Sequence, residues 1–236
     1  AAAAQTVRNA AQKNLTKTAG TLAATSVRFI YGLPFALLAL AITSAIAGSV
    51  PKPNASFFAW VLGGALAQLA ATAMLLAGMQ RRSFIVAVAY SKTEVLQVAV
   101  FSAVLLGEHV TALSAAAIVL ASIGVMLLSV APGAAGARLW LSPSALLGIG
   151  SGAGFAISAI GYRAAALSLG PVPPWLAGAY GLVWAQAMQS VSLGGYLAWR
   201  QPQALRAITR EWRTSLLAGF AGALASFGWF TAFAVR

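Results

Sequence analysis

The chain has 236 residues, of which 60% are hydrophobic and only 8% are charged. Soluble domains contain roughly 45–50% apolar residues with glycine included, so the composition excludes a soluble globular fold and an intrinsically disordered chain. The net charge of +12 comes from 15 basic and 3 acidic residues. The basic residues are scattered between apolar runs, which argues against nucleic-acid binding. The sequence predicts an all-α, polytopic membrane helix bundle.

Eight apolar segments approach the roughly 20 residues that a membrane-spanning helix needs. In chain order they cover about residues 1–15, 22–47, 57–79, 83–106, 111–130, 143–169, 175–199 and 215–235. The first segment is the tail of a span, so we expect the chain to be a fragment of a longer protein. Loops are predicted over residues 131–141 and over the basic stretch 200–213, since both interrupt the apolar pattern.

The order of the segments indicates an internal repeat. The sequence Gly-Ala-Leu-Ala occurs at 64–67 and again at 222–225, and the first pair of spans resembles the sixth and seventh in length. Two five-span repeats are predicted, one over 1–136 with a truncated first helix and one over 137–236 with only its first three helices. Because five is odd, the two repeats would have opposite orientations. That is the inverted-repeat plan of many secondary transporters, whose substrate sites lie near the membrane midplane.

Basic residues are distributed unequally between the two membrane faces. The odd-numbered loops hold nine of them, namely Lys13, Lys17, Arg81, Arg82, Arg138, Arg200, Arg206, Arg210 and Arg213. The even-numbered loops and the cut end hold only Lys52 and Arg236. Cytoplasmic loops are enriched in Lys and Arg, so the loop charges predict that the odd face is cytoplasmic.

The first span carries a polar face. Gln5, Arg8, Asn9, Gln12 and Thr16 follow one another at helical spacing. One interpretation is an interfacial helix end whose arginine reaches the lipid headgroups. The other, which we favour because Gln and Asn gain little from such a position, is a face lining a substrate cavity.

The fourth span carries a polar stretch near its middle, in which the candidate site residues are Tyr90, Lys92, Glu94 and Gln97. On a continuous helix Tyr90, Glu94 and Gln97 share a face, whereas Lys92 lies about 160° from Glu94. Ionisable groups inside a membrane are rare and commonly functional. Glu94 is therefore predicted to bind a proton or a substrate ammonium group, or alternatively to form a fixed ion pair with Arg8 or Arg28.

Further polar residues lie in the second, sixth and seventh spans. Arg28, Tyr162 and Arg163 are candidates for contacts to a substrate, or are interfacial anchors. Gln186 and Gln189 share a face of the seventh span. Isolated amides of this kind are predicted to bond a neighbouring helix.

The sequence offers little for catalysis or for metal binding. It has no cysteine, and His109 is its single histidine. Gly150-Ser151-Gly152 resembles a serine nucleophile motif, but His109 is at the end of a different span and no phosphate loop is present. We expect neither an enzyme nor any metal or cofactor, and a passive channel is disfavoured by the many small residues.

Two segments resemble a known family. Gly107-Glu108 followed by Thr111, together with Ile123-Gly124-Val125 in the fifth span, resembles the EamA-type repeat of the drug/metabolite transporter superfamily. Arg28-Phe29 is similar to an Arg-Phe pair in that family's second span. The resemblance implies a ten-helix, two-repeat carrier that exports small metabolites, often amino acids, from bacterial cells. It also implies an N-terminus inside the cell, opposite to the loop charges. Family members commonly have a proline where this chain has Ser91–Glu94.

The sequence thus predicts a secondary transporter of a small polar metabolite in the inner (plasma) membrane, working by alternating access and coupled to protons. The expected partners are a small-molecule substrate, the lipid bilayer and a second copy in a homodimer, without nucleic acid. A non-transporting membrane scaffold or assembly protein is the alternative. It predicts polar faces filled by mutual hydrogen bonds.

Overall fold

A computed structural model of the chain describes residues 2–81, 90–91, 93–107, 111–129 and 143–235. All regular secondary structure in these ranges is helical, which confirms the predicted all-α class. The remaining residues include several that carried sequence predictions, namely Arg82, Lys92, Glu108, His109, Arg138 and Arg236, and the predicted loop 131–141. These predictions lie outside the described residues.

The first four helices cover the predicted first three spans. They are α1 (Ala2–Ala19), α2 (Thr21–Ile30), α3 (Leu33–Ala47) and α4 (Ala55–Arg81). The single helix predicted over 22–47 is interrupted at Tyr31-Gly32. Pro34 explains the interruption, because it has no N–H to donate to the carbonyl four residues earlier. Gly48 ends α3 with a φ of 64°, a left-handed conformation that glycine adopts without strain.

Four further helices follow the predicted fourth to seventh spans. They are α5 (Glu94–Leu106), α6 (Ala112–Ser129), α7 (Pro143–Ser168) and α8 (Pro174–Arg200). The prediction of one continuous helix over 83–106 is wrong at Thr93, which forms a turn immediately before α5. The Thr93 hydroxyl donates to the carbonyl of Tyr90 at 2.7 Å, and so competes with regular helical bonding at this point.

Two helices close the chain, α9 (Pro202–Arg210) and α10 (Trp212–Ala234). The predicted loop over 200–213 is wrong, because most of it is the helix α9. Proline occupies the first turn of α9, where no N–H is needed, and Ile208 is buried on its inner face. A charged stretch can therefore be helical when its few apolar residues fall on one side.

Four helical segments in the described ranges are long and apolar enough to cross a membrane: Thr21–Ala47, Ala55–Leu75, Ala145–Ser168 and Trp212–Ala234. The first takes α2 and α3 together. The described parts of α5 and α6 contain shorter apolar helices, Glu94–Val104 and Ala115–Gly124. These features support a multi-pass membrane protein, while the count of eight spans stays a prediction.

The helices group into two compact units. Unit 1 consists of Ala1–Ala65 and Gly161–Arg236, and unit 2 consists of Leu66–Ile160. The units are defined by packing and not by sequence similarity. The predicted repeat boundary between residues 136 and 137 lies outside the described residues, so the repeat also stays a prediction.

The core of unit 1 is built from aromatic and small side chains. The Phe57 and Tyr180 rings have centroids 5.3 Å apart, and the Tyr162 and Phe230 rings have centroids 4.4 Å apart. Small residues let the backbones come close between these rings. A Cβ atom added to Gly219 in α10 would lie 2.6 Å from the Tyr31 Cβ, so α10 contacts the break between α2 and α3 directly.

We therefore predict that Gly219→Ala destabilises the protein. The new methyl group would have to displace the Tyr31 backbone, and overpacking of this kind typically costs about 1–3 kcal/mol. For a chain of this length, the loss corresponds to a fall of roughly 2–12 °C in the melting temperature. The measurement is thermal unfolding of the purified protein in detergent micelles.

Gly63→Ala is the matched control. A Cβ at Gly63 meets no atom within 4 Å, and alanine is the better helix former, so its melting temperature should be equal or higher. Equal falls in both variants would contradict the close contact at Gly219.

Candidate functional site

The polar face predicted on α1 is used, at least in part, to join helices. Gln12 Nε2 donates to the Ala24 carbonyl in α2 at 2.8 Å, and Gln5 Oε1 accepts from Trp229 Nε1 in α10 at 3.4 Å. The side chain of Asn9 lies outside the described residues. The substrate-binding role predicted for Gln5, Asn9 and Gln12 stays a prediction, but two of these amides have a structural role as well.

Two arginines from different helices meet beside a glycine of α10. A Cβ atom added to Gly222 would lie 3.3 Å from Arg8 Cδ and 3.4 Å from Arg28 Cβ. Both side chains are partly buried. The missing side chain of Gly222 thus provides the space in which α1 and α2 bring their arginines together.

Arg28 has a mixed environment of charge and aromatic rings. Its guanidinium lies over the Phe29 ring, 4.5 Å from the centroid. It is also within electrostatic range of the Arg8 guanidinium and of the Tyr162 hydroxyl. Arg8, Arg28 and Tyr162 were each predicted as site residues, and unit 1 brings these three together.

Tyr162 in α7 links this group to α8. Its hydroxyl accepts a hydrogen bond from Gln189 Nε2 at 3.2 Å, and both side chains are almost fully buried, with 3% and 1% of their surface exposed. We call Arg8, Arg28, Tyr162 and Gln189 the arginine cluster. One turn earlier on α8, Gln186 is buried, and its Oε1 has no hydrogen-bond partner among the described residues.

Arg163, the residue after Tyr162, has hydrogen-bond partners that differ from those of Tyr162. Its Nη1 donates to the carbonyls of Phe233 at 3.1 Å and of Val235 at 2.8 Å, at the C-terminal end of α10. The last carbonyls of a helix lack intrahelical partners, and basic side chains commonly satisfy them. The structure therefore gives Arg163 a capping role, and its predicted role in substrate binding is not tested.

Unit 2 contains the second group of predicted residues. Glu94 is the first residue of α5 and not the middle of a continuous helix. Gln97 Nε2 donates to the Thr93 hydroxyl at 2.9 Å and to the Ile149 carbonyl at 3.4 Å, while Gln97 Oε1 has no partner among the described residues. Tyr90 is tied to this turn through its carbonyl. Lys92 lies outside the described residues.

The glycines of α7 allow close packing around this turn. A Cβ atom added to Gly152 would lie 3.0 Å from both the Ser91 carbonyl oxygen and Thr93 Oγ1. A Cβ atom added to Gly154 would lie 2.8 Å from the Ala71 Cβ. Within unit 2, the bare backbone of α7 is thus pressed against both α4 and the turn that precedes Glu94.

Sequence reasoning left Gln186 and Gln189 out of the predicted site. It treated them as amides that bond a neighbouring helix, and for Gln189 this is confirmed by its bond to Tyr162. The missing information was that Tyr162 is also within electrostatic range of Arg28. Within the described residues, no group of three or more His, Cys, Asp or Glu side chains is arranged to hold a metal ion.

Residues 2–130 match the model of the EamA-like transporter family, which covers more than half of the chain. The chain belongs to the EamA-like transporter family. The resemblance drawn from Gly107-Glu108 and the fifth span is thereby confirmed. The match includes Arg8, Arg28, Glu94 and Gln97. No curated protein and no solved structure matches the chain.

The bond between Tyr162 and Gln189 yields a second prediction. Tyr162→Phe removes the hydroxyl that accepts from the buried Gln189 amide, and leaving such a donor without its acceptor costs about 1–3 kcal/mol. We expect a lower melting temperature in micelles. The double variant Tyr162→Phe, Gln189→Leu should recover part of the loss, because neither partner then leaves a polar group behind.

Tyr180→Phe is the control for the loss of a hydroxyl group. Tyr180 is also buried in unit 1, and no hydrogen bond of its hydroxyl is found within the described residues. Its variant should melt close to the original protein. A double variant that melts lower by the sum of both single losses would contradict the coupling.

Proposed function

We propose that this EamA-like transporter is a secondary transporter that moves a small polar metabolite with an anionic group, such as an amino acid, across the cytoplasmic membrane. The observation that carries the proposal is the meeting of Arg8 and Arg28 beside Gly222. Membership of the family supports transport itself, and the arginines support the chemistry of the cargo.

The arginine cluster is suited to a carboxylate. Two like charges that approach each other inside a membrane protein destabilise it, and a bound anion would offset their repulsion. The guanidinium group binds carboxylates through paired N–H donors, which gives both affinity and orientation. Tyr162 and the Phe29 ring beside Arg28 would add contacts to the uncharged part of the substrate.

Within unit 2, Glu94 and Gln97 are suited to binding an ammonium group or a proton. Gln97 Oε1 is an acceptor without a partner among the described residues, one turn after the Glu94 carboxylate. A substrate ammonium group or a proton is the species that such acceptors bind. We therefore propose that Glu94 takes part in coupling transport to protons.

Alternating access follows from the predicted repeats over 1–136 and 137–236. Two repeats of opposite orientation have two equivalent packings, one open to each side of the membrane. A substrate moves if it binds both states and the coupling ion shifts their populations. The same proposal includes export across a bacterial inner membrane and assembly as a homodimer. It involves no catalysis, no cofactor and no nucleic acid.

One observation favours the alternative of a non-transporting scaffold. The bonds of Gln5 and Gln12 are of the helix-joining type that a scaffold predicts. In a scaffold, however, two features would have no function. They are the buried acceptors of Gln97 and Gln186, and the approach of two arginines to each other. These two features support transport over assembly.

The proposal predicts that Glu94→Gln removes coupling and leaves the fold intact. The purified protein is placed in liposomes and assayed with labelled amino acids, with and without an imposed pH gradient. We expect the gradient to drive uptake by the original protein and not by Glu94→Gln, because the amide cannot bind and release a proton. Exchange of substrate without a gradient should continue.

Glu211→Gln is the matched control, since Glu211 is an exposed acid between α9 and α10. It should keep gradient-driven uptake. Undiminished gradient-driven uptake by Glu94→Gln would contradict the role of Glu94. A lack of any flux by the original protein across amino acids, nucleosides and organic cations would contradict transport of a small polar metabolite.

A further inference from the structure

The segment 199–213, at the junction of α8, α9 and α10, concentrates positive charge at one end of unit 1. It contains four arginines and one acid, for a net charge of +3, and all four arginines are exposed: Arg200, Arg206, Arg210 and Arg213. Arg206 and Arg210 are four residues apart, so they share one face of α9.

The opposite face of α9 is fixed to the bundle. Ile208 is only 1% exposed and belongs to a cluster with Leu15 of α1 and Leu197 of α8. The Ile208 carbonyl accepts hydrogen bonds from Ser215 Oγ at 2.9 Å and from the Tyr31 hydroxyl at 3.4 Å. The helix α9 is thus fixed with its apolar side toward the bundle and its arginines on the outside.

Exposed tryptophans flank the basic helix on both sides. Trp199, one residue before the end of α8, has 78% of its surface exposed, and Trp212, the first residue of α10, has 52% exposed. The Arg200 guanidinium lies 5.1 Å from the Trp199 ring centroid, and that of Arg213 lies 5.4 Å from the Trp212 ring centroid. Tryptophans at span ends are typically found at the depth of the lipid headgroups. The tryptophans thus place the arginines at that depth.

We propose that residues 199–213 form a binding surface for anionic phospholipid headgroups. The arginines supply paired donors for a phosphate oxygen, and the tryptophans supply a surface for the upper part of the acyl chains. The single acid of the segment, Glu211, leaves its net charge at +3. Glu211 lines a separate pocket with Leu15, Thr18 and Thr214, and none of the four arginines lines that pocket.

The test is a lipid titration of the purified full chain in micelles that contain phosphatidylcholine. Phosphatidylglycerol is added, and binding is followed by native mass spectrometry and by the rise in melting temperature. A basic residue near an anionic surface contributes about a fivefold gain in affinity. The variant Arg206→Gln, Arg210→Gln should therefore bind phosphatidylglycerol roughly 25-fold more weakly.

Two controls separate charge from structure. Arg206→Lys, Arg210→Lys keeps the charge and should keep most of the affinity. Lys52→Gln removes an exposed charge from the loop between α3 and α4 and should change nothing. Melting temperatures in phosphatidylcholine alone show whether each variant is folded, and single arginine variants replace the double one if it is not.

Three results of the lipid titration would overturn the proposal. They are equal phosphatidylglycerol affinity in the glutamine variant, equal binding of phosphatidylcholine and phosphatidylglycerol by the original protein, and an equal loss of affinity in Lys52→Gln. Soluble glycerol phosphate at the same concentration should not raise the melting temperature. If it did so as strongly as the lipid, the surface would be a site for free phosphate esters and the proposal would be wrong.

Discussion

Polar groups inside a membrane must find partners within the protein, because the surrounding hydrocarbon offers none. This constraint accounts for the helices, whose backbone groups are satisfied internally, and for most of the side-chain bonds between them. The Gln12 amide is satisfied by a carbonyl of α2, the Gln189 amide by Tyr162, and Arg163 by the open carbonyls at the end of α10. At Arg8 and Arg28 the packing also brings two charges of the same sign close together.

The same constraint explains why glycine is so frequent at the contacts that matter. Helices in a membrane associate through close packing, and small residues let their backbones approach. Because Gly219 has no side chain, the break between α2 and α3 can pack against α10. Gly152 leaves space in the same way for the turn that precedes Glu94. At Gly222 the space is occupied by two arginine side chains and not by the backbone of another helix. The packing of small residues therefore positions the candidate site as well as holding the bundle together.

Much of the fold could be predicted from the sequence, because apolar runs of sufficient length between Gly, Pro and Arg clusters define helices. The exceptions have local causes. The helix α9 is short and charged, so its inward apolar residues, Ala204, Leu205 and Ile208, gave too weak a signal against its arginines. The break at Tyr31-Gly32 can be predicted only if the effect of Pro34 is assigned to the residues just before it in the chain. The turn at Thr93 depends on a side-chain bond to the Tyr90 carbonyl, and hydropathy does not register such a bond.

The site was predictable by residue type and less so by arrangement. Arg8, Arg28 and Tyr162 are unusual residues for apolar spans, so each could be singled out alone. Their grouping depends on contacts of α1 and α2 with α7 and α10, which lie more than 100 residues later in the chain. Sequence alone could not show that Arg163 bonds to the end of α10 while its neighbour Tyr162 belongs to the arginine cluster.

The central claim is that Arg8 and Arg28 bind the anionic group of a substrate. The most direct measurement is calorimetric titration of the purified chain with an amino acid that it transports and with the matching carboxamide. A hydrogen bond to a charged group contributes about 1.5–3 kcal/mol, so we predict that the acid binds at least roughly tenfold more tightly than the amide. In Arg28→Gln this preference should largely disappear. Equal affinities of the acid and the amide for the original protein would contradict the account.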